Sequence, residues 1–232
     1  MANVDRRQVL TFSAAAAGAD VPANQVQPIV EYLVKNFPEG DVPKAVIIPG
    51  PAKITFKEWK VPTVGSRPHD TLATRDGYIW YSGQYGNVLG RINPKTGEIK
   101  EFRPPIAHSG PHGLVEDKDG KIWFTANSKG YIGTLDPKNG EFTEHKLPPD
   151  VRDPHTPLFD RDGIFWFTAQ NSNKLGRLDP KTGDVKIVDS PTPRSNPYGM
   201  VLDSKNNMWY CEFNAPKIAR IDSKTMAIQE YT

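Results

Sequence analysis

One step length governs this chain. Pro68, Pro111, Pro154 and Pro197 stand 43 residues apart, and so do Trp80, Trp123, Trp166 and Trp209. Gly90, Gly133 and Gly176 keep the step, with Ala219 in the fourth copy. Gly97, Gly140 and Gly183 keep it too, with Met226 in the fourth. No insertion separates the copies. A fixed period of a few tens of residues marks an array of like units, each burying its apolar face only against a neighbour.

Each copy reads as four short strands. In the second copy the first strand follows Pro111-His112, and the turn Asp117-Lys118-Asp119-Gly120 suits a tight hairpin. Lys121–Thr125 is β-branched and aromatic, as a second strand should be. The third strand runs over Gly130–Asp136. The turn Asp136-Pro137-Lys138-Asn139-Gly140 leads to a fourth strand, Glu141–Lys146. Four strands per 43 residues predict an all-β fold, a β-propeller with blades at 62–104, 105–147, 148–190 and 191–232. The tryptophans are expected to pack between neighbouring blades. Cys211 occupies the slot held by Ser82, Thr125 and Thr168 and is expected to be a small buried residue. Ahead of the blades, Trp59 lies 43 residues before the fourth-strand residue Phe102, so residues 54–61 read as a lone outer strand. That surplus strand makes the chain read as part of a seven-bladed ring, with a tight four-bladed ring or a dimer pooling its blades as the alternatives. Its open blade edges and aromatic faces are expected to drive self-association.

Composition excludes several function classes. The chain is 37% hydrophobic and 24% charged, ordinary for a globular protein. Its net charge is +2 without a Lys/Arg run, so nucleic acid is not an expected partner. No apolar stretch is long enough to span a membrane. The single cysteine excludes an intrachain disulfide, a cysteine zinc cluster and c-type haem attachment, so no haem is expected. Arg6-Arg7-Gln8-Val9-Leu10, an Ala-rich run and Ala17-Gly18-Ala19 read in order as a twin-arginine export signal within residues 1–23. This predicts a periplasmic or secreted protein. Asn24 can cap a helix over 24–37, with Val26, Ile29, Val30, Leu33, Val34 and Phe37 as its apolar stripe. Residues 38–53 read as a Pro-rich linker. The segment Val30–Pro38 resembles the last helix of class I cytochrome c domains, but without the attachment motif no haem role carries over.

Chemistry-bearing residues recur at one register. His69, His112, His155 and then Tyr198 open the first strands, which line the central channel of a propeller. Fourteen residues further on stand Gly83, Ala126, Ala169 and Glu212, each followed by Gln84, Asn127, Gln170 or Phe213. Two readings are open. Imidazoles, amides and a carboxylate converge on a small polar ligand or a metal ion in a central funnel. Alternatively, each histidine bonds the backbone of the next blade and fixes the strand start. The Asp-x-Asp-Gly runs at 117–120 and 160–163 read as hairpin turns, because the rest of a calcium-binding loop is missing.

The pattern Pro-His-Gly, Asp-x-x-Gly-x-Ile-Trp-Phe-Thr, Ile-Gly-x-Leu-Asp-Pro-x-x-Gly resembles the blade signature of the streptogramin (virginiamycin B) lyase family, from Pro68 to Thr232. The resemblance implies a seven-bladed propeller. Lyases of that family open a cyclic depsipeptide antibiotic at its ester by elimination, a resistance activity in which histidine acts with carboxylates that hold Mg²⁺. Arg67-Pro68-His69 matches the family's Arg-Pro-His. Its Glu-Pro-His-Gly, with a second Glu fourteen residues after the His, is matched in pieces. Gly110-Pro111-His112 keeps the histidine; Asp153-Pro154-His155 adds a carboxylate but has Ala169 in the second slot; Glu212 fills that slot opposite Tyr198. The resemblance thus implies His69, His112 and His155 as catalytic residues. It implies Asp153 and Glu212 as metal residues, with Mg²⁺ as cofactor. Arg67, Tyr198, Asn127 and Gln170 are the substrate-binding candidates. No one blade unites the set, so the resemblance implies at most a partial active site in this chain. The other readings are a non-catalytic propeller module that binds a ligand or protein, and a lactonase-like hydrolase. The hydrolase would need more carboxylates or asparagines around its metal than these positions offer.

Overall fold

The computed structural model describes residues 27, 28, 31, 50 and 55–231. Gln27, Pro28 and Glu31 are helical, and the Gln27 amide donates to the Glu31 carboxylate at 2.8 Å. The rest of the expected helix, the export signal and the linker apart from Gly50 lie outside the described residues. Among the described residues no helix is long and apolar enough to cross a membrane.

Each 43-residue copy forms one antiparallel sheet with its strands in sequence order. The first sheet holds β1 (Pro68–Ala73), β2 (Ile79–Gly83), β3 (Val88–Ile92) and β4 (Ile99–Phe102). The second holds β5 (Pro111–Glu116), β6 (Ile122–Ala126), β7 (Tyr131–Leu135) and β8 (Phe142–Lys146). The third holds β9 (Pro154–Phe159), β10 (Phe165–Ala169), β11 (Lys174–Leu178) and β12 (Val185–Asp189), with a 3₁₀ turn at Gln170–Ser172. The fourth holds β13 (Pro197–Leu202), β14 (Met208–Glu212), β15 (Lys217–Ile221) and β16 (Ile228–Tyr231). The all-β blade architecture read from the repeat is therefore what the chain forms.

The sheets pack face to face in series. Trp80, Leu89 and Phe102 pack on Ile122, Phe124 and Leu135 of the second sheet. Trp123 and Ile132 pack on Phe165, Phe167 and Leu178 of the third. Trp166 and Leu175 pack on Met200, Met208, Tyr210 and Ile221 of the fourth. Trp80, Trp123 and Trp166 thus each face the sheet that follows, and all three are buried. Trp209 has no such sheet beside it among the described residues. It is half-buried against Tyr231, and its cross-strand neighbour Val201 and nearby Ile218 are exposed. Cys211, two residues along on the same face, is half-buried for the same reason, rather than buried as expected.

The turn before each tryptophan does more than reverse the chain. Asp160 Oδ1 accepts from the Asp162 and Ile164 amides, both at 2.9 Å, while Oδ2 accepts from Trp166 Nε1 at 2.9 Å. Asp117 holds Trp123 in the same way at 2.8 Å, and Asp203 holds Trp209 at 3.0 Å. These carboxylates fix both the hairpin and the indole. The repeated glycines have an equally local cause. Gly133 and Gly176 lie directly opposite Phe124 and Phe167, whose rings lie over them. A Cβ at either glycine would come 2.1 Å from the ring.

The expected outer strand over 54–61 is not formed: residues 55–61 carry no strand. The four outer edges of the third strands are already taken by β4, β8, β12 and β16. Trp59 instead closes over the turn between β3 and β4, where a Cβ on Gly97 would meet its indole at 2.5 Å.

Because Asp160 is buried and bonds three donors, Asp160→Ala should cost about 2–3 kcal/mol, the scale for stranding a buried donor. The midpoint of urea denaturation reads this, and an unchanged midpoint would show that the indole does not need the carboxylate.

Candidate functional site

The sheets turn their first strands toward one another, and each first strand carries a bulge. Pro111 pairs with Ala126 and Leu114 with Phe124, so His112 and Gly113 together oppose the single residue Thr125. The same two-against-one step places His69-Asp70 opposite Ser82, His155-Thr156 opposite Thr168, and Tyr198-Gly199 opposite Cys211. A bulge of this kind re-aims side chains and frequently borders a functional site. The residues that enter these strands hold positive φ: Arg67 at 49°, Gly110 at 62°, Asp153 at 59° and Asn196 at 53°. For the non-glycine residues this is strained backbone, which the surrounding packing must maintain.

A hydroxyl fastens each of the first three bulges; the fourth faces Cys211 instead. Thr125 Oγ1 accepts from the Gly113 amide at 2.9 Å and donates to the His155 carbonyl of the next sheet at 2.7 Å. Thr168 Oγ1 accepts from the Thr156 amide at 3.1 Å and donates to the Tyr198 carbonyl at 2.9 Å. Ser82 Oγ takes the Asp70 amide at 3.0 Å. Thr125 and Thr168, and not the histidine rings, therefore tie the second sheet to the third and the third to the fourth. From residue type alone the Ser/Thr slot reads only as small.

The imidazoles are left for other work. His69 and His112 have ring centroids 4.2 Å apart, His112 and His155 4.0 Å, and His155 and Tyr198 4.3 Å. Phe213 continues the row 5.2 Å from Tyr198. His112 and His155 are 5% and 6% exposed. Burial pushes both well below the usual histidine value, His155 to about 4, so both are neutral near pH 7. Asp70, which sequence reading had not singled out, joins this row. Its Oδ1 lies 2.7 Å from His69 Nδ1, and its Oδ2 lies 3.8 Å from His112 Nδ1. The second separation is too long for a hydrogen bond, and His112 Nδ1 is buried without a partner.

The other candidates fall at different distances from this group. Arg67 is exposed, bonds Gln84 and lies 4.8 Å over the Tyr85 ring, a cation–π pair. Asn127 donates to Asp153, and Gln170 takes the Asp153 carbonyl through its backbone amide at 3.0 Å. Glu212 is buried and accepts from Ser190 Oγ at 2.9 Å. Burial raises the pKa of both Asp153 and Glu212.

Residues 48–232 match the Virginiamycin B lyase family. The chain belongs to the virginiamycin B lyase family. The solved virginiamycin B lyase from Staphylococcus aureus is 31% identical over 76% of this chain and 59% of that one, with a TM-score of 0.71. A catalytically inactive histidine-to-alanine form of the S. aureus enzyme, solved with quinupristin, is 30% identical over 78% of this chain and 60% of that one, at 0.73. A streptogramin B lyase is 31% identical over 75% and 57%, at 0.71. This chain of the virginiamycin B lyase family thus spans about three fifths of those lyases' length. No curated protein matches it.

The Mg²⁺ that this family implies finds a poor fit in the expected residues. Asp153 and Glu212 are bound into separate networks, one with Asn127 and the other with Ser190. Mg²⁺ takes oxygen ligands in near-octahedral geometry. The one group of three possible ligands that the described residues bring within metal reach is His69, Asp70 and His112, with two nitrogens and a carboxylate.

Thr168→Val keeps the volume and deletes the hydroxyl. It strands the Thr156 amide and the Tyr198 carbonyl, and should cost about 2–3 kcal/mol in urea denaturation. A loss below about 0.5 kcal/mol would mean the blades do not depend on this tie.

Proposed function

We propose that this chain is a carbon–oxygen lyase that opens an ester-linked cyclic peptide by elimination, with His69 as the base. One observation carries the reading: the Asp70 carboxylate lies 2.7 Å from His69 Nδ1, at the mouth of a row of rings. A carboxylate on Nδ1 keeps the proton there and leaves Nε2 free to accept one, the same use of a carboxylate that orients catalytic imidazoles generally. His69 Nε2 takes the proton from the carbon beside a carbonyl. The C–H electron pair becomes the new C=C bond, the C–O bond at the β carbon breaks, and the carboxylate leaves with that pair. His112, His155 and Tyr198 form the wall of rings on which a cyclic peptide would lie, and Arg67 with Asn127 and Gln170 offers polar contacts at its rim. Family membership supports the reading, as does the inactivity of the histidine variant of the S. aureus enzyme. No step runs through Mg²⁺.

A second reading is a propeller module that binds such a ligand without turning it over. It is favoured by Gly110 and Ala126, which stand where the lyase signature has carboxylates around the histidine.

Quinupristin separates the readings. The full chain should convert it to a linear product of unchanged mass, since elimination adds no water. His69→Ala should lower kcat/KM by about 10²–10⁴-fold, the range for a general base, while leaving the dissociation constant within a few-fold. Asp70→Asn, a change at the positioning residue, should lower kcat more than it raises KM. Binding without product supports the module. A product heavier by one water, or full activity in His69→Ala, overturns the lyase reading.

A further inference from the structure

We propose that His69, Asp70 and His112 form a binding site for a first-row transition dication of the Zn²⁺ or Co²⁺ type. The inference goes beyond the elimination reading and stands without it.

The donors, their spacing and their burial all point to such an ion. One ligand atom from each residue lies within 4.8 Å of the others. Bonds of about 2.0–2.1 Å in tetrahedral array set neighbouring donors roughly 3.3 Å apart. The observed separations of 2.7 Å and 3.8 Å from the Asp70 oxygens to the two Nδ1 atoms bracket that value. His112 Nδ1 is the independent sign. It is a buried nitrogen without a hydrogen-bond partner, facing a carboxylate too far off to bond it directly. A cation between them gives this nitrogen a partner and neutralises the carboxylate. Two imidazoles and one carboxylate suit zinc and its neighbours, whereas Mg²⁺ favours oxygen alone.

The scaffold holds this geometry still. Ser82 Oγ fixes the Asp70 amide at 3.0 Å, and Thr125 Oγ1 fixes the Gly113 amide beside His112 at 2.9 Å. The second bulge is also wedged against the third sheet, since a Cβ on Gly113 would lie 2.2 Å from Pro157 Cδ. The site is singular. The residues equivalent to Asp70 are Gly113, Thr156 and Gly199, so only the first bulge supplies a carboxylate. Three protein ligands leave a position for water or an anionic group, as in zinc sites open to a ligand. A bound ion takes His69 Nδ1 and Asp70 away from the pairing that makes His69 a base. The ion and metal-free elimination therefore exclude one another.

The test uses the full chain, freed of metal by chelation, titrated separately with Zn²⁺, Co²⁺ and Mg²⁺ in calorimetry. Co²⁺ is also followed by its visible absorption. The expected result is one equivalent of Zn²⁺ or Co²⁺ bound at micromolar concentration or below, a cobalt band of tetrahedral intensity, and no comparable response to Mg²⁺. Asp70→Asn and His112→Ala should each weaken Zn²⁺ at least 100-fold. His69→Ala, at the more exposed of the two histidines, puts folding less at risk than His112→Ala and should also lose the cobalt band, with circular dichroism confirming the fold. Unchanged Zn²⁺ affinity in the three variants, or Mg²⁺ bound as tightly as Zn²⁺, overturns the proposal. These readouts need no substrate, so a chain inert toward quinupristin can still bind zinc. A chain that eliminates only without zinc satisfies both readings.

Discussion

The fold depends on an indole held at two ends. A sheet of four short strands is only marginally stable by itself and must bury one face against a neighbour. Here the large residue that fills each seam is a tryptophan, and a polar Nε1–H comes with it into the interior. The carboxylate of the preceding turn accepts a hydrogen bond from that N–H, at 2.9 Å for Trp166 and Asp160. The same carboxylate closes the hairpin through the amides two and four residues on. One side chain thus couples the turn to the seam between sheets. The first sheet lacks the device. Thr74 stands where the others have aspartate, and its hydroxyl serves only its own turn, through Asp76 and Tyr78. Trp80 is buried all the same, so packing alone fills that seam.

At the other end of each sheet a second coupling decides where the chemistry sits. The bulge puts two residues against one, and the hydroxyl of that one residue bonds both its own bulge and the carbonyl of the next. At the junctions of the second and third and of the third and fourth sheets, these hydroxyls hold first strands whose rings lie about 4 Å apart. They also satisfy the backbone groups that a bulge leaves unpaired, so the imidazoles need not do so. That is why three histidines are free to face one another. Burial makes two of them neutral, which removes the repulsion that a row of imidazolium ions would carry.

Much of this was legible in the sequence because repetition is legible. The 43-residue step located the sheets, the tryptophan seams, the glycines and the histidine row, since each recurs wherever the same physical need recurs. The family was legible from the same elements. Three things were not. The Ser/Thr slot was visible but its purpose was hidden, because hydrogen bonds to a neighbour's backbone leave no mark on residue type beyond size and a hydroxyl. The segment 54–61 has the composition of a strand, yet residues 55–61 carry none: the outer sides of the third strands are taken by β4, β8, β12 and β16, and Trp59 packs on Gly97 instead. Asp70 was passed over because it breaks the pattern: a residue present in one copy of four looks like noise in a search for what the copies share.

A fold built from equal parts has a general consequence. Positions kept in every blade answer to what every blade needs, namely seams, turns and ties. His112 and His155 hold equivalent places and share burial and neutrality, so neither is distinguished by its own blade. The distinction comes from the neighbour. His112 faces the one bulge that carries a carboxylate, while His155 Nδ1 meets the hydroxyl of Thr156 at 3.1 Å. A single aspartate, set on a scaffold that repeats everything else, converts a uniform row of rings into a site with one charged end. The chemical asymmetry of the row therefore lies at the first two blades, where the carboxylate of Asp70 meets His69 and His112.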